Sequence, residues 1–156
     1  MRTTLTTWKF QSSDRAEVAA RTLRRLAREN LLVVHDAETI EWETDAIGPR
    51  ASQLHPITDV GALGTAFWER LFGLLFFAPR GGANGAPHPA LMDVGIDDRF
   101  VTRVRDGITP GTSALFVVSP DAVVDEIQDT FAAGDAPELI LTNLRHGAGS
   151  GRVAFS

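Results

Sequence analysis

Residues 113–121 read SALFVVSPD and predict a buried strand that leads directly into a helix. The run from 113 to 118 is almost entirely apolar, as in a strand that is covered on both faces. Ser119, Pro120 and Asp121 predict a helix start: a serine N-cap, a proline in the first turn and an acid at the positive end of the helix dipole. The expected apolar face of this helix consists of Val123, Val124, Ile127 and Phe131, with Gly134 as its stop. Residues 138–142 predict the next strand.

The beginning of the chain has the same strand–helix–strand order. Residues 5–10 end in alternation of apolar and polar side chains, which predicts a half-buried strand. Asp14, with Glu17 three residues later, has the spacing of a capping box at the start of a helix. The apolar positions that follow at helical spacing are Ala16, Ala19, Ala20, Leu23, Leu26 and Ala27. The β-rich run 31–34 is expected to continue as a strand, through a bend, to Trp42.

Two such units predict an α+β fold, a ferredoxin-like split βαβ sandwich with both helices on one face of the sheet. The first βαβ unit covers about 4–43 and the second about 112–144. A hydrophobic helical insertion, about 58–108, lies between the two halves, and residues 145–156 are expected to form a flexible tail. With 156 residues, the chain is expected to be a single domain, 1–156.

The composition excludes several classes of protein. Hydrophobic residues make up 44% of the chain and charged residues 22%, which is typical of a soluble globular protein. The absence of cysteine excludes a disulfide scaffold and thiolate chemistry. A net charge of −5 counts against a nucleic-acid partner. The N-terminal MRTTLTTWKFQ lacks the apolar region of a signal peptide, so a cytoplasmic location is expected.

Residues 61–78 are the most hydrophobic stretch of the chain. The length of this stretch, 18 residues, comes close to the roughly 20 of a membrane-spanning helix. Glu69 and Arg70, however, lie near its middle, where an ionised side chain costs roughly 2.5–3.5 kcal/mol on insertion. We therefore expect a helix in the core or at an oligomer interface rather than a membrane span. The residues predicted to form this oligomer or membrane interface are Phe67, Trp68, Leu71, Phe72, Leu75 and Phe76.

Two groups of polar residues are candidates for a binding site. Asp93, Asp97 and Asp98 are three carboxylates within six residues and can supply oxygen ligands to Mg²⁺ or Ca²⁺, although a turn and a helix cap use the same residues. His35 and Asp36 end a predicted strand and are candidate ligand-binding residues, as a general base and its orienting partner. No nucleophile accompanies them in the sequence, so a structural hydrogen bond is favoured, and we predict no catalytic residue and no cofactor.

Charged residues of the first unit are expected at the surface. The first helix carries an arginine face, and residues 36–45 hold five acids and no base. Solvation, or pairing of the arginines with an acidic neighbour, accounts for both without a phosphate or lipid ligand.

A series of motifs along the chain resembles a known family. In chain order the motifs are WKF (8–10), HDA (35–37), QLH (53–55), GALG and AFW (61–64 and 66–68), GLLFF (73–77) with Pro79, DVGIDD (93–98) with Phe100, and PGTSALF (110–116). Together they resemble the bacterial family known as domain of unknown function 1269, whose members are labelled predicted membrane proteins. The resemblance covers about 5–144. It implies a central Gly/Ala-rich hydrophobic hairpin but no established activity, cofactor or catalytic residue.

The chain departs from the pattern of that family at two places. The second arm of the hairpin, small and apolar in the family, here reads RGGANGAPHP over 80–89. The usual acidic helical tail is replaced by HGAGSGR over 146–152. The first departure counts against membrane insertion, and the second indicates a frayed end.

These observations favour a non-enzymatic, self-associating cytoplasmic protein with a regulatory or stress-related role. The expected assembly is a homo-oligomer formed through the 61–78 helix, which is hard to bury within one small domain. One alternative is a membrane-associated protein that uses the same helix. Another is a small-ligand or metal-binding protein, or an enzyme, with a pocket near His35, Asp36 and residues 93–98.

Overall fold

The computed structural model describes residues 3–52, 68, 71–77, 96, 98–132 and 137–144. Within these ranges the chain forms a mixed α/β structure. The strands are β1 (Thr3–Phe10), β2 (Asp36–Glu41), β3 (Arg50–Ser52), β4 (Ser113–Pro120) and β5 (Glu138–Leu144). The α-helices are α1 (Arg15–Arg28), α2 (Asp98–Gly107) and α3 (Val124–Ala132), with a π-helical turn at Gly73–Phe77 and a 3₁₀ turn at Asp121–Val123.

The strands form one antiparallel sheet in the order β3-β2-β4-β1-β5. β4 lies between β2 and β1, so that Val118 is opposite Asp36 on one side and Leu5 on the other. Every residue of β4 is buried, which confirms the strand predicted from the apolar run at 113–118.

Two apolar layers cover the two faces of this sheet. Alternate residues of β4 point to opposite faces, as the pleat requires. Leu115 and Val117 belong to the layer formed with α1 and α3, whereas Phe116 and Val118 belong to the layer formed with α2 and the middle segment. The middle segment is the described chain between Trp68 and Phe77. Both predicted helices thus lie on one face, and the middle segment covers the other.

α1 begins where the sequence predicts, but its start is held differently. Asp14 is the N-cap residue, yet its side chain makes no capping hydrogen bond and accepts one from the Ser12 hydroxyl instead. The backbone N–H of Ala16 donates to Oγ of Ser113 over 3.0 Å. The predicted capping box is therefore wrong, because a residue of β4 supplies the acceptor that the local sequence was expected to provide.

The helix predicted to begin after Ser119 is α3, and it starts later than predicted. β4 continues through Ser119 and Pro120, because Pro120 is still paired with Thr3 of β1. The Ser119 hydroxyl donates to the Pro120 carbonyl, so it does not cap a helix. Asp121 accepts a hydrogen bond from the Thr4 hydroxyl over 2.9 Å, and α3 begins only at Val124. The expected stop at Gly134 lies outside the described residues.

The run 31–34 is apolar but not a strand. Asn30 adopts a left-handed backbone conformation that ends α1. Leu31 and Val33 are 60% and 53% exposed, while Leu32 and Val34 pack into the layer under α1. β2 begins only at Asp36, because Asp36 is opposite Val118 and β4 ends two residues beyond that point. Residues before Asp36 therefore have little strand left to pair with.

The predicted helix at 61–78 falls largely outside the described residues. Trp68, Leu71 and Phe72 are helical, and Gly73–Phe77 is a π-helical turn. α2 lies within the range of the predicted helical insertion, and the strand predicted at 138–142 is confirmed as β5. Among the residues that the structure describes, no helix has the length and apolarity to cross a bilayer. The tail at 145–156 lies outside the description.

Leu23→Ala tests the layer under α1. The Leu23 side chain is fully buried in that layer, so we expect the free energy of unfolding to fall by about 2–5 kcal/mol. Leu31→Ala makes the same change at an exposed position, where the expected loss is within about 0.5 kcal/mol. Urea denaturation of both variants measures the difference; equal losses would contradict the packing described.

Candidate functional site

Two carboxyl groups of β2 are buried on the face of the sheet that the middle segment covers. Asp36 and Glu38 are two residues apart on one strand, so their side chains project to the same face. Ile40 continues this row and packs in the layer that contains Trp68 and Phe72. Asp36 is 2% exposed and Glu38 is 3% exposed. We call Asp36 and Glu38 the acid pair.

Asp36 connects the sheet to the middle segment. Its Oδ2 accepts a hydrogen bond from the indole N–H of Trp68 over 2.8 Å. Its Oδ1 accepts one from the backbone N–H of Ala37 over 2.9 Å. A buried polar group is costly unless it is hydrogen-bonded, and both oxygens of Asp36 are. The contact between Asp36 and Trp68 therefore fixes where the middle segment lies on the sheet.

Glu38 has a different environment from Asp36. No residue within the described ranges donates a hydrogen bond to its carboxyl group. Burial, and secondarily the negative charge of Asp36, raise the pKa of Glu38 from the ordinary 4.5 to about 8. Glu38 is therefore protonated at neutral pH, and its environment favours a neutral carboxylic acid over a carboxylate.

Aromatic rings form the cover over this part of the sheet. The ring centroids of Trp68 and Phe72 are 5.6 Å apart, and that of Phe116 lies 5.1 Å from Phe72. Phe116 of β4 has Glu38 opposite it on β2 and Thr7 opposite it on β1. The Thr7 hydroxyl is also buried, and no described residue is its hydrogen-bond partner. Two polar groups thus flank Phe116 in an apolar layer, and covering them without hydrogen-bond partners costs stability.

The two residues predicted as a general base and its orienting partner do not form that arrangement. His35 is half-buried, and its backbone N–H donates to the Val118 carbonyl over 2.8 Å. Within the described part of the chain, no hydrogen bond joins the side chains of His35 and Asp36. Asp36 holds Trp68 instead, which is the structural alternative that the sequence also allowed.

The three predicted metal ligands are not brought together in the described chain. Asp98 is exposed at the first residue of α2, while Asp93 and Asp97 lie outside the described residues. Over the described ranges, no group of three or more histidine and acidic residues is arranged to hold a metal ion.

Four of the six predicted interface residues are inside the chain's own core. Trp68, Leu71, Phe72 and Leu75 are at most 5% exposed. Phe76 is partly buried against the same layer, and Phe67 lies outside the described residues. The described residues of this stretch thus pack against the second face of their own sheet.

Two surface clefts of similar size lie at the periphery of the sheet. One, of about 440 Å³, is lined by residues that include Lys9, Ser12 and Arg15. The other, of about 450 Å³, is lined by residues that include Trp42 and Phe76. Neither His35 nor Asp36 is among the described residues that line either cleft, so the pocket predicted beside them does not correspond to these two.

The match to a family model supplies the classification. The model described as Protein of unknown function (DUF1269) matches residues 62–150. The chain belongs to this family. The resemblance inferred from the motifs is thus confirmed, and the family description assigns no activity to its members. Among curated proteins and among solved structures, nothing matches the chain.

The matched region contains the aromatic cover but not the acid pair. In this DUF1269 protein, the match includes Trp68, Phe72 and Phe116, together with α2, α3, β4 and β5. β1, α1 and β2 precede it, so Asp36 and Glu38 lie in the part of the sheet outside the match.

Glu38 is a residue that sequence reasoning missed. The charge pattern of residues 36–45 places it among acids expected at the surface. A signal was present in the alternation of Asp36, Glu38 and Ile40, which places all three on one face of a strand. Nothing local, however, indicated that this face would be covered.

Trp68→Phe tests the hydrogen bond to Asp36. The variant keeps an aromatic ring but removes the N–H donor, so we expect a loss of about 1–3 kcal/mol in the free energy of unfolding. Trp42→Phe is the matched control, because the Trp42 indole donates to the Ala46 carbonyl at an exposed site. We expect a loss of less than about 1 kcal/mol there. Losses of similar size in urea denaturation would show that the Trp68 hydrogen bond contributes little.

Glu38→Gln tests the raised pKa of the buried carboxyl. Between the ordinary pKa of 4.5 and the native value of about 8, the folded chain keeps a proton that the unfolded chain has released. The stability contributed by this group is therefore complete below the lower value and lost as the pH rises through the upper one. The free energy of unfolding of the native chain, relative to Glu38→Gln, should fall by about 1.4 kcal/mol per pH unit in this window.

The control for this measurement is Glu126→Gln, which makes the same change at an exposed carboxyl of α3. Its pH profile should run parallel to that of the native chain. Urea denaturation between about pH 5 and pH 9 covers the window in which Glu38 titrates. A Glu38→Gln profile parallel to the native one would mean that Glu38 is ionised in the folded protein.

Proposed function

We propose that this DUF1269 protein is a non-enzymatic, self-associating protein built on a ferredoxin-like split βαβ sandwich. The observation that carries the proposal is the open edge of the sheet at β5. β5 pairs with β1 on one side, and no other described strand lies on its outer side. An exposed strand edge offers a row of backbone donors and acceptors to another chain.

The order of the elements supports the fold assignment. α1 connects β1 to β2, and α3 connects β4 to β5. The two strands of each unit are separated in the sheet by one antiparallel strand, and the helices pack on the same face. This is the arrangement of two interleaved βαβ units. The helical insertion of the proposal is the middle segment with α2, which covers the second face.

Burial of the middle segment moves the proposed interface away from it. Trp68 and Leu75 already pack against the sheet of their own chain, so a partner would have to displace them. Breaking the hydrogen bond between Trp68 and Asp36 would add to that cost. Association through the outer edge of β5 requires no such rearrangement.

The acid pair supports a structural rather than a catalytic role. A general acid or base must come within hydrogen-bond reach of a substrate. Asp36 and Glu38 are both nearly fully buried, under a cover that includes Trp68 and Phe72. A carboxyl group that releases its proton near pH 8 also makes stability depend on pH in the physiological range, which supports the regulatory or stress-related part of the proposal. We propose a cytoplasmic location for this role.

The test is the mass of the native chain in solution. Size-exclusion chromatography with light scattering, without detergent and over a range of protein concentrations, should give twice the mass of the chain. Two copies that pair through their β5 edges leave neither of those edges open. The mass should therefore not rise further as concentration increases. A monomer at every concentration would contradict the proposal, and so would protein recovered only in detergent.

A further inference from the structure

The outer edge of β5 lacks the features that usually prevent edge strands from pairing. Natural sheets protect their edges with short strands, prolines, lysines or bulges. β5 has seven residues, ELILTNL, with no proline, no lysine or arginine and a single acid at its first position. A segment of this length, with high β propensity and low charge, is a hazard if it stays exposed. The sequence of β5 therefore favours a second partner strand on its outer side.

The opposite edge of the sheet shows the contrast within the same molecule. β3 has only three residues and follows Pro49. Its first residue, Arg50, is exposed and lies 3.6 Å from Glu41 in an ion pair. A short strand with a charge at its start is a protected edge. Within the described strands, one edge of the sheet is thus protected against pairing, whereas the other is not.

Leu141 marks the centre of the unprotected edge. It is one of the few large apolar side chains of the described residues with a substantial exposed fraction, 45%. It is also the middle residue of β5, with three residues on either side. On the inner side of β5, Leu141 is paired with Thr6 of β1.

We propose that two copies of the chain pair antiparallel through β5, with Leu141 opposite its own copy on the two-fold axis. The two five-stranded sheets then form one continuous sheet. This inference rests on the proposed function and assigns its contact surface. It predicts a dimer in particular, because the two-fold contact uses the open edge of both copies and leaves only the protected β3 edges.

The register follows from length and charge. In an antiparallel pair centred on Leu141, Glu138 is opposite Leu144 of the other copy, and all seven residues of both strands are paired. A pair centred one residue away leaves two residues of each strand unpaired. In the pair centred on Leu141, the only charge in the strand faces an apolar residue rather than its own copy, so no like charges are opposed. The exposed Leu141 side chains cover each other.

A single introduced cysteine tests the register directly, because the chain contains none. Residues directly opposite in an antiparallel pair have Cβ atoms roughly 4.5–5.5 Å apart, close to the separation that a disulfide needs. Leu141→Cys should therefore give a disulfide-linked dimer on mild oxidation, seen on a non-reducing gel. Ile47→Cys is the control, since Ile47 is fully exposed and lies in the connection before β3. It should remain unlinked under the same conditions.

Leu141→Lys provides a second measurement that does not depend on oxidation. It places two like charges opposite each other at the two-fold axis, so the dissociation constant of the dimer should rise by about tenfold or more. Ile47→Lys removes an equally apolar side chain elsewhere and should leave the dissociation constant unchanged. Far-UV circular dichroism of both variants should match that of the native chain, which shows that the fold is intact.

The outcomes separate this inference from the proposed function. Linkage of Leu141→Cys together with weakened association of Leu141→Lys supports the β5 contact. A native dimer in which Leu141→Cys stays unlinked, or which Leu141→Lys does not weaken, overturns the β5 contact and leaves self-association standing. A native chain that is monomeric, with no linkage of Leu141→Cys, overturns both.

Discussion

Burial of β4 on both faces is the constraint on which the rest of the structure depends. Its apolar residues alternate between the two faces, so each face needs its own cover. Leu115 and Val117 are covered by α1 and α3, which pack on the same face of the sheet. Phe116 and Val118 are left for the middle segment. The described residues of the hydrophobic stretch at 61–78 thus have a place in the core.

The acid pair is a consequence of that second cover. Asp36 is opposite Val118 and Glu38 is opposite Phe116, so both acids lie beside the residues that the middle segment must bury. Asp36 is stabilised by the indole of Trp68, and the neutral form of Glu38 is favoured by the removal of water. The same packing that satisfies β4 therefore places a titrating group inside the protein. Neither cover supplies a described strand to the outer edge of β5.

Much of the fold follows from periodicity in the sequence. Alternation at 5–10 and the apolar runs at 113–118 and 138–142 predicted β1, β4 and β5, because pleated strands repeat every two residues. The spacing of Ala16, Ala20 and Leu23 predicted the buried face of α1. The run 31–34 was misleading, since apolar content was present but β4 ends only two residues beyond the partner of Asp36. The candidate site was harder to predict, because an acid on a strand has the same sequence pattern whether its face is exposed or covered.

The sequence of this protein is sufficient for its family, for β1, β4 and β5 as strands and for the buried face of α1, because the patterns that predict each of them lie close together in the chain. The helix caps, the start of β2 and the burial of Asp36 and Glu38 required the folded structure. Ser113 supplies the acceptor for the start of α1 from 97 residues away, and Trp68 donates to Asp36 from 32 residues away. Such contacts are formed by packing between distant segments, and the environment of a buried charge depends on which segment covers it.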